Sequence, residues 1–236
     1  MTRTLVFIHG AAMSSRVWVN QTLRYGAAGH TVLTPDLPGC GATAGPHLPH
    51  IEAMADWLWT WIGRRVDSAV ALVGHSMGGL VAVRAAALFP GRVTHLALVG
   101  SMVPLRVGAD FLDLSGRDEP RAFALMEAWC AGEREPRAGL ASPGMDLVRA
   151  AAPGTLRAGL AACDAYHGGA ADLARYSGPA ALIVGARDLM VPLARAQKFA
   201  ESMPGMAVTG ISGAGHNLPL EAPAAVNAAL DALLLR

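Results

Sequence analysis

The sequence predicts an α/β fold: a three-layer sandwich with a mostly or all-parallel sheet, helices on both faces and a helical insertion. Three observations predict it. Short apolar runs of strand length alternate with helical segments, the pattern of a parallel sheet covered on both sides. The alternation stops once, over about residues 102–177, where no strand-like run occurs and Gly, Pro and Arg are frequent. The chemically distinctive residues lie in loops that follow the apolar runs, and open α/β sheets keep their sites beyond the carboxyl ends of the strands.

Residues 5–8 read as a short buried strand ending in His9-Gly10-Ala11-Ala12. A helix over about residues 17–25 closes at Gly26 or Gly29. Residues 31–34 form a second strand, and Pro35-Asp36-Leu37-Pro38-Gly39-Cys40-Gly41 is a loop dense in breakers. Residues 51–66 make a strong helix with Met54, Leu58, Trp61 and Ile62 on one face. Trp57 and Trp59 widen that face, and the three tryptophans read as packing. Residues 69–73 are a third strand, followed by a helix that stops at Phe89-Pro90-Gly91. Residues 93–99 are a fourth. The insertion then carries helices at about 119–131, 146–152 and 155–166. Residues 180–185 and 207–211 are the last two strands, with a helix over 193–203 between them and an amphipathic helix over 222–234 at the end. The expected division is a core of residues 1–101 and 178–236 with a helical cap over 102–177.

Bulk properties narrow the function. A chain of 236 residues suits one domain with a sizeable core. A net charge of +1 with 16% charged residues leaves no footprint for nucleic acid or an anionic membrane surface. No apolar run reaches membrane-spanning length, so the 53% hydrophobic fraction reads as a well-filled core. Cys40, Cys130 and Cys163 are odd in number and widely scattered, which predicts reduced thiols and a cytoplasmic setting. Thr2-Arg3 leads straight into the first strand, so no signal peptide is expected. No metal-ligand spacing occurs, and no cofactor is expected. Oligomeric state leaves no signature.

The chemistry centres on Gly74-His75-Ser76-Met77-Gly78, a G-x-S-x-G pattern between a strand and a helix. That context puts Ser76 on a tight turn with its hydroxyl projecting, and the helix that follows aims its positive end at the same place. Alone, the pattern also fits a Gly-rich turn with an incidental serine. A serine nucleophile needs a base, and the base an orienting acid. Asp188 stands three residues past the strand ending at Gly185, and His216 lies on the glycine-flanked turn after the last strand. Taken singly, Asp188 fits a helix N-cap and His216 a surface loop. Together, in the order Ser, Asp, His and each at a strand end, they read as a catalytic triad. The backbone N–H groups of Ala11 and Met77 would form the oxyanion site. His9 and His75 are expected to make structural hydrogen bonds, Asp36 to form a turn, and Glu221 to support the histidine loop or open the last helix. Met102, Val103 and Trp129 are the candidate substrate-binding residues, with Phe111, Leu125 and Met126 as further possible lining.

These residues resemble the α/β-hydrolase superfamily, specifically its small serine hydrolases. The resemblance rests on five pieces in the family's order. They are His9-Gly10, Asp36-Leu37-Pro38-Gly39-Cys40-Gly41, Gly74-His75-Ser76-Met77-Gly78-Gly79, Gly185-Ala186-Arg187-Asp188 with Val191-Pro192, and Gly213-Ala214-Gly215-His216 with Glu221-Ala222-Pro223. It implies an all-parallel sheet of about six strands, without the first two of the family's usual eight, and a variable cap over the insertion. Cys40 stands where the family usually has histidine, and Thr43 where it often has serine. Serine at 76 sets the chain apart from members with aspartate or cysteine there. The resemblance implies a carboxylesterase-like enzyme acting on a small-molecule ester, thioester or lactone. C–C bond hydrolysis or lyase chemistry on the same triad is the alternative, for which Arg106, Arg117, Arg121, Arg149 and Arg157 could meet anionic substrates. A non-hydrolytic binding protein on the same scaffold is the third reading.

Overall fold

The computed structural model describes residues 2–136, 138–203 and 205–236. In chain order it builds β1 (Thr4–Ile8), α1 (Val19–Ala27), β2 (Thr31–Leu33), α2 (Ile51–Gly63), β3 (Val70–His75), α3 (Met77–Leu88) and β4 (Val93–Val99). Five helices follow: α4 (Ala109–Arg117), α5 (Glu119–Cys130), α6 (Met145–Arg149), α7 (Thr155–Ala165) and α8 (Gly169–Leu173). The chain then returns to the sheet with β5 (Ala180–Gly185), α9 (Leu193–Glu201), β6 (Ala207–Ile211), α10 (Leu218–Glu221) and α11 (Pro223–Leu234).

Among the described residues six strands make one sheet in the order β2-β1-β3-β4-β5-β6, every neighbouring pair parallel. Every residue of β1, β3 and β5 is buried, as expected of parallel strands with helices on both faces. The edge strands β2 and β6 are mostly exposed or half-buried. Burying each Val or Leu of the central strands contributes about 1.5–3 kcal/mol. The strand order reverses between β1 and β3: β1 connects outward to β2, and β3 outward to β4. That switch point opens a crevice beyond the strand ends. The loop after β1 and the turn after β3 both lie there.

The helices differ from the sequence reading mainly where glycine or proline hides the periodicity. The first turn of the helix expected over 17–25 is a 3-10 turn, Ser15–Trp18, whose Trp18 packs on Phe7 with ring centroids 5.1 Å apart. The helix expected to run to 66 stops at Gly63. α4 was not anticipated; Phe111 and Leu114 anchor it in the core. α8 and α10 are only five and four residues long, too short to carry a periodic signal.

Candidate active site

One residue separates the end of β3 from the start of α3, and it is Ser76. Its backbone sits at φ 51°, ψ −120°, a conformation an L residue adopts at a cost of about 1–3 kcal/mol. So sharp a turn requires glycine on either side. A Cβ on Gly74 would overlap the Gly78 carbonyl, and one on Gly78 would overlap the carbonyl of Ile8 at the end of β1. The turn is held by the Ser76 N–H donating to Val99 O at 3.0 Å and the Gly79 N–H donating to Ser76 O at 2.9 Å. Ser76 occupies the N-cap position of α3, but its hydroxyl makes no capping bond. The side chain instead lines a cavity.

Asp188 and His216 come together beside it. Asp188 Oδ1 accepts the amides of Met190 at 2.8 Å and Val191 at 2.9 Å, which fixes the carboxylate within its own turn. Its other oxygen meets His216 Nδ1 at 2.7 Å, with both side chains almost fully buried. A carboxylate only accepts, so Nδ1 carries the proton and Nε2 is left as the basic nitrogen. Pro192, and not Asp188, holds the N-cap position of α9. Burial opposes charging of His216; the charge of Asp188, its hydrogen bond and the charge of Glu221 outweigh burial and lift the pKa above the ordinary 6.5.

The backbone of His216 is clamped from several directions. Its N–H donates to Cys130 O at 2.9 Å, and its carbonyl accepts from His75 Nε2 at 3.0 Å. Glu221 takes the amides on either side of it, Gly215 N–H at 2.6 Å and Asn217 N–H at 2.8 Å. α5 therefore reaches His216 directly. It reaches the Asp188 loop too, because Trp129 O accepts the Leu189 amide at 3.2 Å. Close approach of α5 leaves no room for a side chain at 215, where a Cβ would overlap the Cys130 carbonyl oxygen. Gly215→Ala is expected to lower Tm by roughly 3–10 °C, from an overpacking cost of about 1–3 kcal/mol. Displacement of the base by even ~1 Å should lower kcat by about 10²-fold. A melting curve and ester turnover check this, and a variant that matches wild type in both would show that the contact is soft.

The other histidines near the site are structural. His9 Nε2 accepts the Leu37 amide at 3.0 Å, so Nδ1 donates to Gly10 O at 2.8 Å, and the ring ties the loop after β1 to the loop after β2. Burial holds His9 below the ordinary imidazole range and pushes His75 to about 3, so both stay neutral. Asp36 forms a turn, accepting the Ser15 amide at 2.6 Å and the Ala42 amide at 2.8 Å. Ala11 lines the cavity, and Met77 is the first residue of α3, where helical amides lack intrahelical acceptors. Among the described residues neither the Ala11 nor the Met77 amide has an internal acceptor.

The cavity has a volume of about 450 Å³ and lies between the strand-end loops and helices α4, α5 and α7. Trp129 lines it, as do Phe111 and Met126. Met102 and Val103 do not; they are buried in the core just past β4, where Val103 packs against Gly169 at the start of α8. Leu125 also stays outside the lining. Of the insertion arginines singled out by the sequence, only Arg106 lines the cavity. Arg117 pairs with Asp113, Arg149 with Glu127, and Arg157 with the Leu112 carbonyl. Arg134 and Arg195 line it as well and carry no motif that would have marked them. The described residues contain no cluster of His, Cys, Asp or Glu able to hold a metal ion. Among them, no helix is long and apolar enough to cross a membrane.

Comparisons with known proteins agree with this fold. A pimeloyl-[acyl-carrier protein] methyl ester esterase of Aromatoleum aromaticum is 30% identical over 233 residues, covering 90% of each chain. One from Nitrosomonas europaea is 29% identical, covering 97% of this chain and 94% of its own. In three dimensions the chain is similar to a bromoperoxidase from Bacillus anthracis, with a TM-score of 0.83 and 24% identity over 100% of this chain and 93% of that one. The sequence pattern described as the alpha/beta hydrolase family matches residues 5–229. With an all-parallel sheet of this order and esterase relatives over nearly its whole length, the chain is a carboxylesterase-like enzyme that belongs to the alpha/beta hydrolase family.

Proposed function

We propose that the protein hydrolyses carboxylic esters of small molecules through an acyl-enzyme formed on Ser76, with His216 as general base and Asp188 orienting it. The observation that carries this reading is the 2.7 Å bond between His216 Nδ1 and Asp188 Oδ2, beside the Ser76 turn and on the same cavity. Ser76 Oγ attacks the ester carbonyl and gives its proton to His216 Nε2. Asp188 stabilises the imidazolium that results. The Ala11 and Met77 amides receive the oxyanion. As the intermediate collapses, His216 passes its proton to the departing alcohol. Water then gives a proton to His216 and attacks the acyl carbonyl, and the acid leaves as Ser76 regains its proton. Residues 102–177 act in this reading as a cap over the site. The relatives' methyl ester esterase names make methyl and other short-alkyl esters the natural first panel.

Two measurements test the proposal together. A fluorophosphonate should label one residue, Ser76, as mapped by mass spectrometry, and p-nitrophenyl esters should show an acyl-enzyme burst. No label at Ser76 together with no ester turnover would sink it. The C–C hydrolase or lyase reading uses the same three residues, and it predicts labelling without ester turnover.

A further inference from the structure

The cavity carries charge that the ester chemistry above does not use. Arg106, Arg134 and Arg195 all line it, arriving from the loop before α4, the loop after α5 and the first turn of α9. No aspartate or glutamate lines it among the described residues. Asp188, the carboxylate behind it, is spent on His216 and on its own turn. Glu133, next to Arg134 in sequence, pairs with Arg187 at 3.8 Å. Among the described residues none of the three guanidinium groups belongs to an ion pair.

Arg106 is held in place, and Arg195 stands where a cation is disfavoured. Arg106 Nη1 donates to Asp164 O at 2.8 Å and to His167 Nδ1 at 2.7 Å, which orients the group without neutralising it. Arg195 stands in the first turn of α9, where no acidic residue offsets the positive end of the helix, an unfavourable place for a cation. The whole chain has a net charge of only +1, so three unpaired cations around one cavity are a local concentration. Their mutual repulsion is relieved by an anion.

We propose that the cavity selects esters that carry a carboxylate or phosphate at the end remote from the scissile bond. Arg106, Arg134 and Arg195 determine that specificity, and the proposal rests on the esterase reading above. The apolar walls, among them Phe111, Met126 and Trp129, hold the connecting chain. Guanidinium groups suit both anions because their planar donors match two oxygens at once.

The test compares kcat/KM at low salt for monomethyl adipate, dimethyl adipate and the methyl ester of 6-phosphonooxyhexanoic acid. At least one anionic ester should exceed the neutral diester by about tenfold, and the better of the two identifies the anion. In the combined variant Arg106→Gln, Arg134→Gln, Arg195→Gln that ratio should fall to about one, with the loss of preference carried by KM. The corresponding Lys variant should restore part of it, and added salt should erode it. Equal rates for charged and neutral esters, or a preference that survives the Gln variant, would overturn the proposal. If no ester is turned over and Ser76 takes no fluorophosphonate label, the esterase reading fails on its own. Calorimetric binding of adipate and 6-phosphonooxyhexanoate then decides this one: binding lost in the Gln variant supports it, and equal or absent binding in both proteins rejects it.

Discussion

Ser76→Ala is expected to lower kcat for ester hydrolysis by about 10⁶-fold while the fold persists. The size follows from the proposed mechanism: without the hydroxyl no acyl-enzyme would form, and His216 and the Ala11 and Met77 amides could only assist water directly, leaving about 10³–10⁴-fold over the uncatalysed rate. Stability should hardly change, because the hydroxyl caps nothing and alanine keeps a Cβ in the same strained conformation. Ser76→Gly separates the two properties. It removes the hydroxyl and also relieves the positive-φ strain of about 1–3 kcal/mol. Its Tm should therefore lie above that of Ser76→Ala by roughly 2–8 °C, after allowing for glycine's extra unfolded-state entropy. Equal rates for wild type and Ser76→Ala would remove Ser76 from the chemistry altogether. A Gly variant less stable than the Ala variant would show that the turn is not strained.

That turn was legible because its requirements are written in side chains. Gly74 and Gly78 are there so that a strand and a helix can touch, and no other residue satisfies both contacts. Asp188 and His216 were legible by place, since an apolar run of strand length announces where a loop at the sheet edge begins. Glu221 was half legible. The sequence offered it as support for the histidine loop or as the opening of the last helix, and in the fold it takes the two amides flanking His216. The grip of α5 on the same loop was not legible, because it is made by the carbonyls of Trp129 and Cys130 and any residue has a carbonyl. The cavity wall failed for a different reason. Met102 and Val103 follow β4 nearly at once, which puts them close to the site in sequence, but both are buried away from the cavity lining, and Val103 packs against Gly169 of α8. Arg134 reaches the cavity from the loop after α5 and Arg195 from the first turn of α9. They are far apart in sequence, and only the folded chain puts both on one cavity.

Asp188→Asn should lower kcat by about 10⁴-fold, although the substituted atom is nearly the same size. The direction of the effect follows from the two bonds on either side of the carboxylate. Oδ1 accepts two amides, from Met190 and Val191, so the asparagine must present its carbonyl oxygen there. The opposite orientation would set an NH₂ group against two N–H donors. Asparagine therefore turns its NH₂ towards His216 Nδ1, which must accept, and the ring proton moves to Nε2. The nitrogen that should take the Ser76 proton is then already protonated. The pH profile moves as well. In wild type the acid limb of kcat/KM is expected above the ordinary imidazole value of 6.5, because Asp188 raises His216. With that charge gone, burial prevails and the limb of the residual activity shifts to lower pH. Stability follows the same sign. A base whose folded pKa is raised stabilises the fold below its unfolded pKa, and this contribution fades as pH rises through the folded pKa. The Tm deficit of Asp188→Asn should accordingly be larger near pH ~5.5 than near pH ~8. A variant with unchanged kcat and an unmoved acid limb would mean that another group orients His216. Among the described residues the other carboxylate that raises His216, Glu221, is already bound to two backbone amides.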